Sequence, residues 1–91
     1  KIFSAVSEKY NVTVEDIKGL KRSKNIMQAR HVSVYLIRQI TSLPVTAIGE
    51  IVNRDHATIL SSIDKVTKDM ETTPAFADEV NSLYNQIKNG K

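Results

Sequence analysis

Arg54, Asp55 and His56 place a cation, a carboxylate and an imidazole in three consecutive positions. They follow Ile48-Gly49-Glu50-Ile51-Val52-Asn53 and precede Ala57-Thr58-Ile59-Leu60. No apolar core needs such a triplet. The first turn of a helix in a DNA groove does, because it must meet base edges and phosphates together. His56 can donate to a base acceptor, and Asp55 can accept from a cytosine amino group. Arg54 can reach a phosphate, and the Thr58 and Ser62 hydroxyls can add contacts. Each residue also has a plainer use. Asp55 suits a helix N-cap, where it favours the helix dipole, and His56 suits an ordinary surface position.

A second set of candidates lies upstream. No acidic residue occurs between Asp16 and Glu50, whereas that window holds Lys18, Lys21, Arg22, Lys24, Arg30 and Arg38. The whole chain carries only +3, from 13 basic and 10 acidic residues, so the distribution matters more than the total. Positive charge gathered in one segment of a small domain fits a polyanion binder. The plain alternative is a solvated basic face. Lys21, Arg22 and Lys24 lie in a polar connector suited to entering a minor groove, where the negative potential attracts Arg. Arg30 and Arg38, about two turns apart on one helix, are expected to point outward together toward phosphates.

Catalysis finds little support. Adjacent helical positions such as Asp55 and His56 diverge by about 100° and do not readily form an acid–base pair. There is no Gly-rich phosphate loop, and the only histidines, His31 and His56, lie on different expected helices. The chain has no Cys, which removes disulfides, thiol chemistry and Cys-based zinc sites. Its apolar runs are too short to span a membrane. The expectation is therefore a binder without enzymatic activity, cofactor or metal.

These side chains need a scaffold, and helical spacing supplies one. The chain has 91 residues, 41% hydrophobic and 5% aromatic, enough for one small core of Ile, Val, Leu and Ala. Ile2, Phe3, Val6 and Tyr10 mark a first helix that Asn11 ends. Thr13 and Asp16 form a capping box for a short second helix, with Val14, Ile17 and Leu20 inward and Gly19 as its stop. A third runs from about Ile26 to Thr41, capped by Ser23 or Asn25, with Ala29, Val32, Leu36 and Ile40 as one buried stripe that Tyr35 and Ile37 widen. Pro44 opens a fourth, about Val45 to Val52, whose Ala47, Ile48, Ile51 and Val52 are available to the core. Asn53 is a turn residue. A fifth helix runs from near Asp55 to about Met70, with Ile59, Ile63, Val66 and Met70 inward. A sixth covers roughly Ala75 to Lys88. The expected architecture is all-α, about six helices, in a single domain spanning 1–91. The fourth and fifth helices form a helix-turn-helix, with Gly49 permitting close backbone approach. A start at Lys1 suggests a fragment of a longer chain.

With the motifs in place, the chain resembles the C-terminal DNA-binding domain of the bacterial chromosomal replication initiator DnaA. The resemblance rests on Ile48-Gly49, Val52-Asn53, Arg54-Asp55-His56 and Thr58-Ile59-Leu60. Lys21-Arg22-Ser23, Ala29-Arg30-His31, Tyr35-Leu36-Ile37-Arg38 and Thr41 extend it over essentially the whole chain. It implies a Trp repressor-like helix-turn-helix that recognises DnaA boxes, TTATNCACA-like sites at the replication origin, in duplex DNA. Arg22 is then expected to read the minor groove, and Asp55 and His56 the major groove. Lys24, Arg30, His31, Arg38 and Thr58 are expected to hold the backbone or nearby groups, with Val45 and Thr46 touching the DNA edge.

Three departures stand out. Asn53 replaces a Gly pair, making the turn one residue shorter. Ala57 replaces a hydroxyl residue, although its methyl can pack on a thymine methyl. Ser33 stands where a small apolar residue is common. The resemblance further implies that ATP binding and self-association belong to a separate ATPase domain. Residues 1–12 would include the end of a linker helix, with weak acidic-membrane contact nearby, and the protein would be cytoplasmic and nucleoid-associated. The competing reading is a helical protein-interaction or transcription-regulator module.

Overall fold

A computed structural model describes residues 1–90. Six helices follow in order: α1 Ile2–Tyr10, α2 Val14–Lys18, α3 Lys24–Ile40, α4 Val45–Val52, α5 His56–Thr72 and α6 Pro74–Lys88. There is no strand among the described residues, so the all-α expectation holds. Helix α3 starts two residues before the expected Ile26, and α5 runs two residues beyond the expected Met70.

Local chemistry explains most boundaries. Asn11 ends α1 in the left-handed conformation, at φ 56° and ψ 48°, which Asn tolerates better than most residues. The Thr13–Asp16 capping box is formed: the Asp16 amide donates to Thr13 Oγ1 at 3.0 Å, and the Thr13 amide to Asp16 Oδ2 at 3.4 Å. Ser23 occupies the N-cap of α3, but its hydroxyl bonds Asn25 Oδ1 rather than an orphan backbone amide. Pro44 precedes α4, and Pro74 begins α6, where its missing N–H costs nothing.

Helix α3 is the central element, and its widened apolar stripe divides between two clusters. Ala29, Val32 and Leu36 join Ala5, Val6, Val12, Ile17, Ile26, Val80 and Leu83 in one cluster shared with α1, α2 and α6. Val34 and Ile37 join Ile48, Val52 and Ile59 in a second cluster beneath α4 and α5. The helix-turn-helix thus has its own small core, mounted on α3. Helix α6 is locked to α1 by the Tyr10 hydroxyl, which donates to the Glu79 carboxylate. Burial and that carboxylate both push the Tyr10 phenol well above its ordinary pKa.

Three side chains depart from expectation. Leu20, placed inward by periodicity, is 84% exposed because the chain leaves the helix at Lys18 and turns outward. Ile51 lies on the outer side of α4 and is 36% exposed. Ser33 is fully buried, and its hydroxyl has no hydrogen-bond partner among the described residues. A buried unpaired hydroxyl keeps its desolvation cost with no compensating bond. Ser33→Ala should therefore raise stability by about 1 kcal/mol. A thermal melt that shows no increase, or a decrease, would contradict this.

Candidate nucleic-acid interface

The turn between α4 and α5 is built from three residues, Asn53, Arg54 and Asp55. Asn53 is left-handed at φ 60° and ψ 49°, so this one residue reverses the chain. The Arg54 amide closes the turn onto the Gly49 carbonyl at 2.8 Å. Gly49 is buried, and a Cβ there would overlap the Arg54 carbonyl oxygen. The close approach anticipated for this glycine is therefore real.

Asp55 is the N-cap of α5, and its Oδ1 accepts from the Thr58 amide at 2.9 Å. That bond, helped by the Thr58 side chain and the nearby His56, holds the carboxyl below its ordinary pKa. The capping role is thus present. It engages Oδ1 on the protein side. His56, Ala57 and Thr58 follow in the first turn, all exposed. Thr46, from the start of α4, shares a shallow depression with Gly49, Glu50, Asn53, Arg54, Asp55 and His56. Val45 beside it is half-buried against the second cluster.

A second cleft lies on the other side of the turn. It is lined by Leu20 and Arg22 from the connector, by Arg30 and His31 from α3, and by Thr58 and Ser62 from α5. Asn53 and Arg54 line both depressions, so the two adjoin at the α4–α5 turn. Connector residues Lys21, Arg22 and Lys24 are all exposed, with the Lys21 ammonium 3.3 Å from Asp16. Lys24 lines a separate depression with Tyr10, Asn25 and Gln28. Arg38 is exposed near the far end of α3 and donates to the Leu43 carbonyl at 3.0 Å.

Arg30 does not point outward, which corrects the expectation of an exposed pair with Arg38. It is 6% exposed. Eight helical residues rotate by about 80° beyond two full turns, so the two arginines never shared a face. Arg30 Nε donates to the Ile17 carbonyl at 2.7 Å, and Nη2 to the carbonyls of Asp16, Gly19 and Lys21 at 3.0–3.1 Å. Burial, then the charges of Arg54 and Arg22, pull its pKa below the ordinary value, yet a guanidinium stays protonated. Arg54 is likewise occupied: Nη1 donates to Val52 and Asn53 carbonyls at 3.2 and 3.0 Å, and Nη2 to the Gly19 carbonyl.

Ser62 is also not the free hydroxyl expected. It is buried, with Oγ 2.8 Å from His31 Nδ1. Burial, then Lys65 and Arg30, push the His31 pKa below its ordinary value, against a smaller opposing pull from Asp69. Burial thus favours the neutral imidazole, which can still hydrogen-bond. Lys65 was not singled out from the sequence. The signal was available: Thr58, Ser62 and Lys65 are four and three residues apart, which puts them on one face of α5. Leu60, 52% exposed, flanks that face one turn beyond His56.

No group of metal-ligating side chains gathers among the described residues. No helix among them is long and apolar enough to cross a membrane. The arrangement is a pair of adjoining depressions with basic connector residues on one side and an exposed helix start on the other. A family model described as the bacterial DnaA protein helix-turn-helix matches residues 1–66. The match stops within α5, so the end of α5 and all of α6 lie beyond it.

Proposed function

The chain belongs to the bacterial DnaA helix-turn-helix family, whose members bind DNA in replication initiation, and from that premise we propose that it recognises DnaA boxes in duplex DNA. The observation that carries this reading is the cleft that brings Arg22 of the connector together with Thr58 of α5, adjoining the depression at Asp55 and His56. In this reading α5 enters the major groove by its N-terminal turn. His56 donates to a base, the free Oδ2 of Asp55 accepts from a cytosine amino group, and the Ala57 methyl packs on a thymine methyl. Arg22 enters the adjacent minor groove. Lys24, His31, Arg38 and Thr58 contact the DNA backbone or nearby groups, and Val45 and Thr46 its edge.

Arg30 and Arg54 take a different part from the one the sequence suggested. Their donors are engaged by carbonyls of the chain itself, so they act by holding the surface that meets DNA. The domain acts without a cofactor. ATP use and self-association would belong to another part of a longer protein, and residues 1–12 would continue toward it. Such a protein works in the cytoplasm, on the nucleoid.

Fluorescence anisotropy with a TTATNCACA duplex and a scrambled duplex, across a salt series, tests the proposal. The box duplex should bind at least about tenfold more tightly at moderate salt, a difference of about 1.4 kcal/mol. Equal binding of the two duplexes refutes it. Asp55→Asn is the most diagnostic variant. Asn caps a helix about as well as Asp, so folding should be retained. With its oxygen on the Thr58 amide, however, its NH2 would face the cytosine amino group donor to donor. The preference should fall by about 1–3 kcal/mol, as it should for His56→Ala. Arg38→Ala should instead weaken both duplexes alike and lower the salt slope by about 1.

A further inference from the structure

We infer that Arg54 and Arg30 together set the spacing between the two groove-reading elements, by converging on a single carbonyl, that of Gly19. The inference rests on the box-recognition reading for its consequence, although the coupling itself is geometric. Arg30, from α3, bonds the carbonyls on both sides of Leu20, those of Gly19 and Lys21, and also those of Asp16 and Ile17. The connector is thus held to α3 immediately before Arg22. Arg54 meets the same Gly19 carbonyl from the opposite element, while its other amino group holds the last carbonyls of α4 and the turn.

Arg54 directly precedes Asp55, the N-cap of α5. Bonds at Arg54 therefore fix where α5 begins, and bonds at Gly19 fix where the connector emerges. A planar guanidinium with several donors in a fixed fork can satisfy both at once, which a single ammonium cannot. The rigidity also explains why Leu20 stays 84% exposed rather than folding back onto the nearby core. The connector reads as flexible from its composition, yet it is a clamped strap whose distance from α5 is set by one shared acceptor. Arg54 is accordingly a positioning residue.

The test uses a box duplex, a box carrying one inserted central base pair, and a scrambled duplex. With wild-type protein the insertion should weaken binding at least about tenfold, because both readers cannot engage at the wrong spacing. In Arg54→Lys, which keeps the charge, the insertion penalty should shrink to about threefold or less, since the strap can now follow the altered spacing. Arg54→Met, which keeps the aliphatic stem, should show the same change if the Lys variant fails to fold. Backbone amide order parameters of Leu20–Ser23 should fall from the rigid range of about 0.85 to below about 0.6 in the variant, with Val32 and Leu36 unchanged. A residue that merely touched phosphate would lower the salt slope in Arg54→Met and leave both readouts as in the wild type. An unchanged insertion penalty, or unchanged order parameters in the strap, in a folded variant overturns the inference. If wild-type protein does not distinguish box from scrambled DNA, box recognition fails instead, and the order-parameter measurement alone decides the coupling.

Discussion

Arg30→Ala is expected to destabilise the domain by about 3 kcal/mol, the scale of stripping a buried charge of its partnership. The guanidinium makes four hydrogen bonds to main-chain carbonyls, and the side chain is 6% exposed. Truncation leaves the Ile17 and Lys21 carbonyls without the Arg30 donor, while Gly19 keeps Arg54 and Asp16 keeps the Gly19 amide, and it opens a void beside α3. The Ile17 carbonyl bond is fully buried, so water cannot freely replace it. Bonds to a charged donor are worth about 1.5–3 kcal/mol each in favourable cases. The acceptors at Asp16, Gly19 and Lys21 are only partly buried and recover some hydration, which keeps the total well below four times that. For a domain of this size each 1 kcal/mol moves the midpoint by about 4–8 °C, so a fall of about 12–24 °C is expected. Thermal and urea denaturation measure it directly. A loss under about 1 kcal/mol would mean that Arg30 behaves as the exposed phosphate ligand its sequence context suggested.

Gly49→Ala should cost about 2 kcal/mol, opposite in sign to what helix propensity alone predicts. Ala is favoured over Gly inside a helix by about 1 kcal/mol. Here, however, the new methyl would overlap the Arg54 carbonyl oxygen, a backbone atom that cannot swing aside like a side-chain tip. Forcing extra volume into packed structure costs about 1–3 kcal/mol, with a backbone clash at the upper end. The overlap therefore wins. Relief requires α4 to move away from the turn, which disturbs the Arg54 amide bond to Gly49 and the placement of Asp55. Stability and box preference should fall together. A stabilised Gly49→Ala protein would show that the α4–α5 turn is looser than described. The same variant with DNA preference intact would show that the approach is not needed for binding.

Much of this architecture was legible because its causes are local. The Thr13–Asp16 box, the Asn11 and Asn53 reversals and the breaks before Pro44 and Pro74 depend on neighbours within a few residues. So does the exposed Asp55-His56-Ala57 start of α5. The errors fall where burial is decided by something distant. Arg30 reads as a surface cation until α2 and the connector are laid over it. Ser62 reads as a free hydroxyl until His31, thirty-one residues earlier, meets it. Leu20 reads as a third core residue only if α2 continues for one more turn, and it does not.

Residue types and short spacings by themselves determined an all-helical chain with a helix-turn-helix, a basic connector and a polar triplet suited to DNA. Helix periodicity and capping are short-range, so no tertiary information is needed to read them. Only the tertiary structure decided which charges remain available. A cation in sequence has no orientation; it becomes a DNA ligand or an internal clamp according to whether carbonyls from other elements reach it first. Those carbonyls reach Arg30 and Arg54 and leave Arg22 exposed, because α3 carries the connector on one side and the α4–α5 turn on the other.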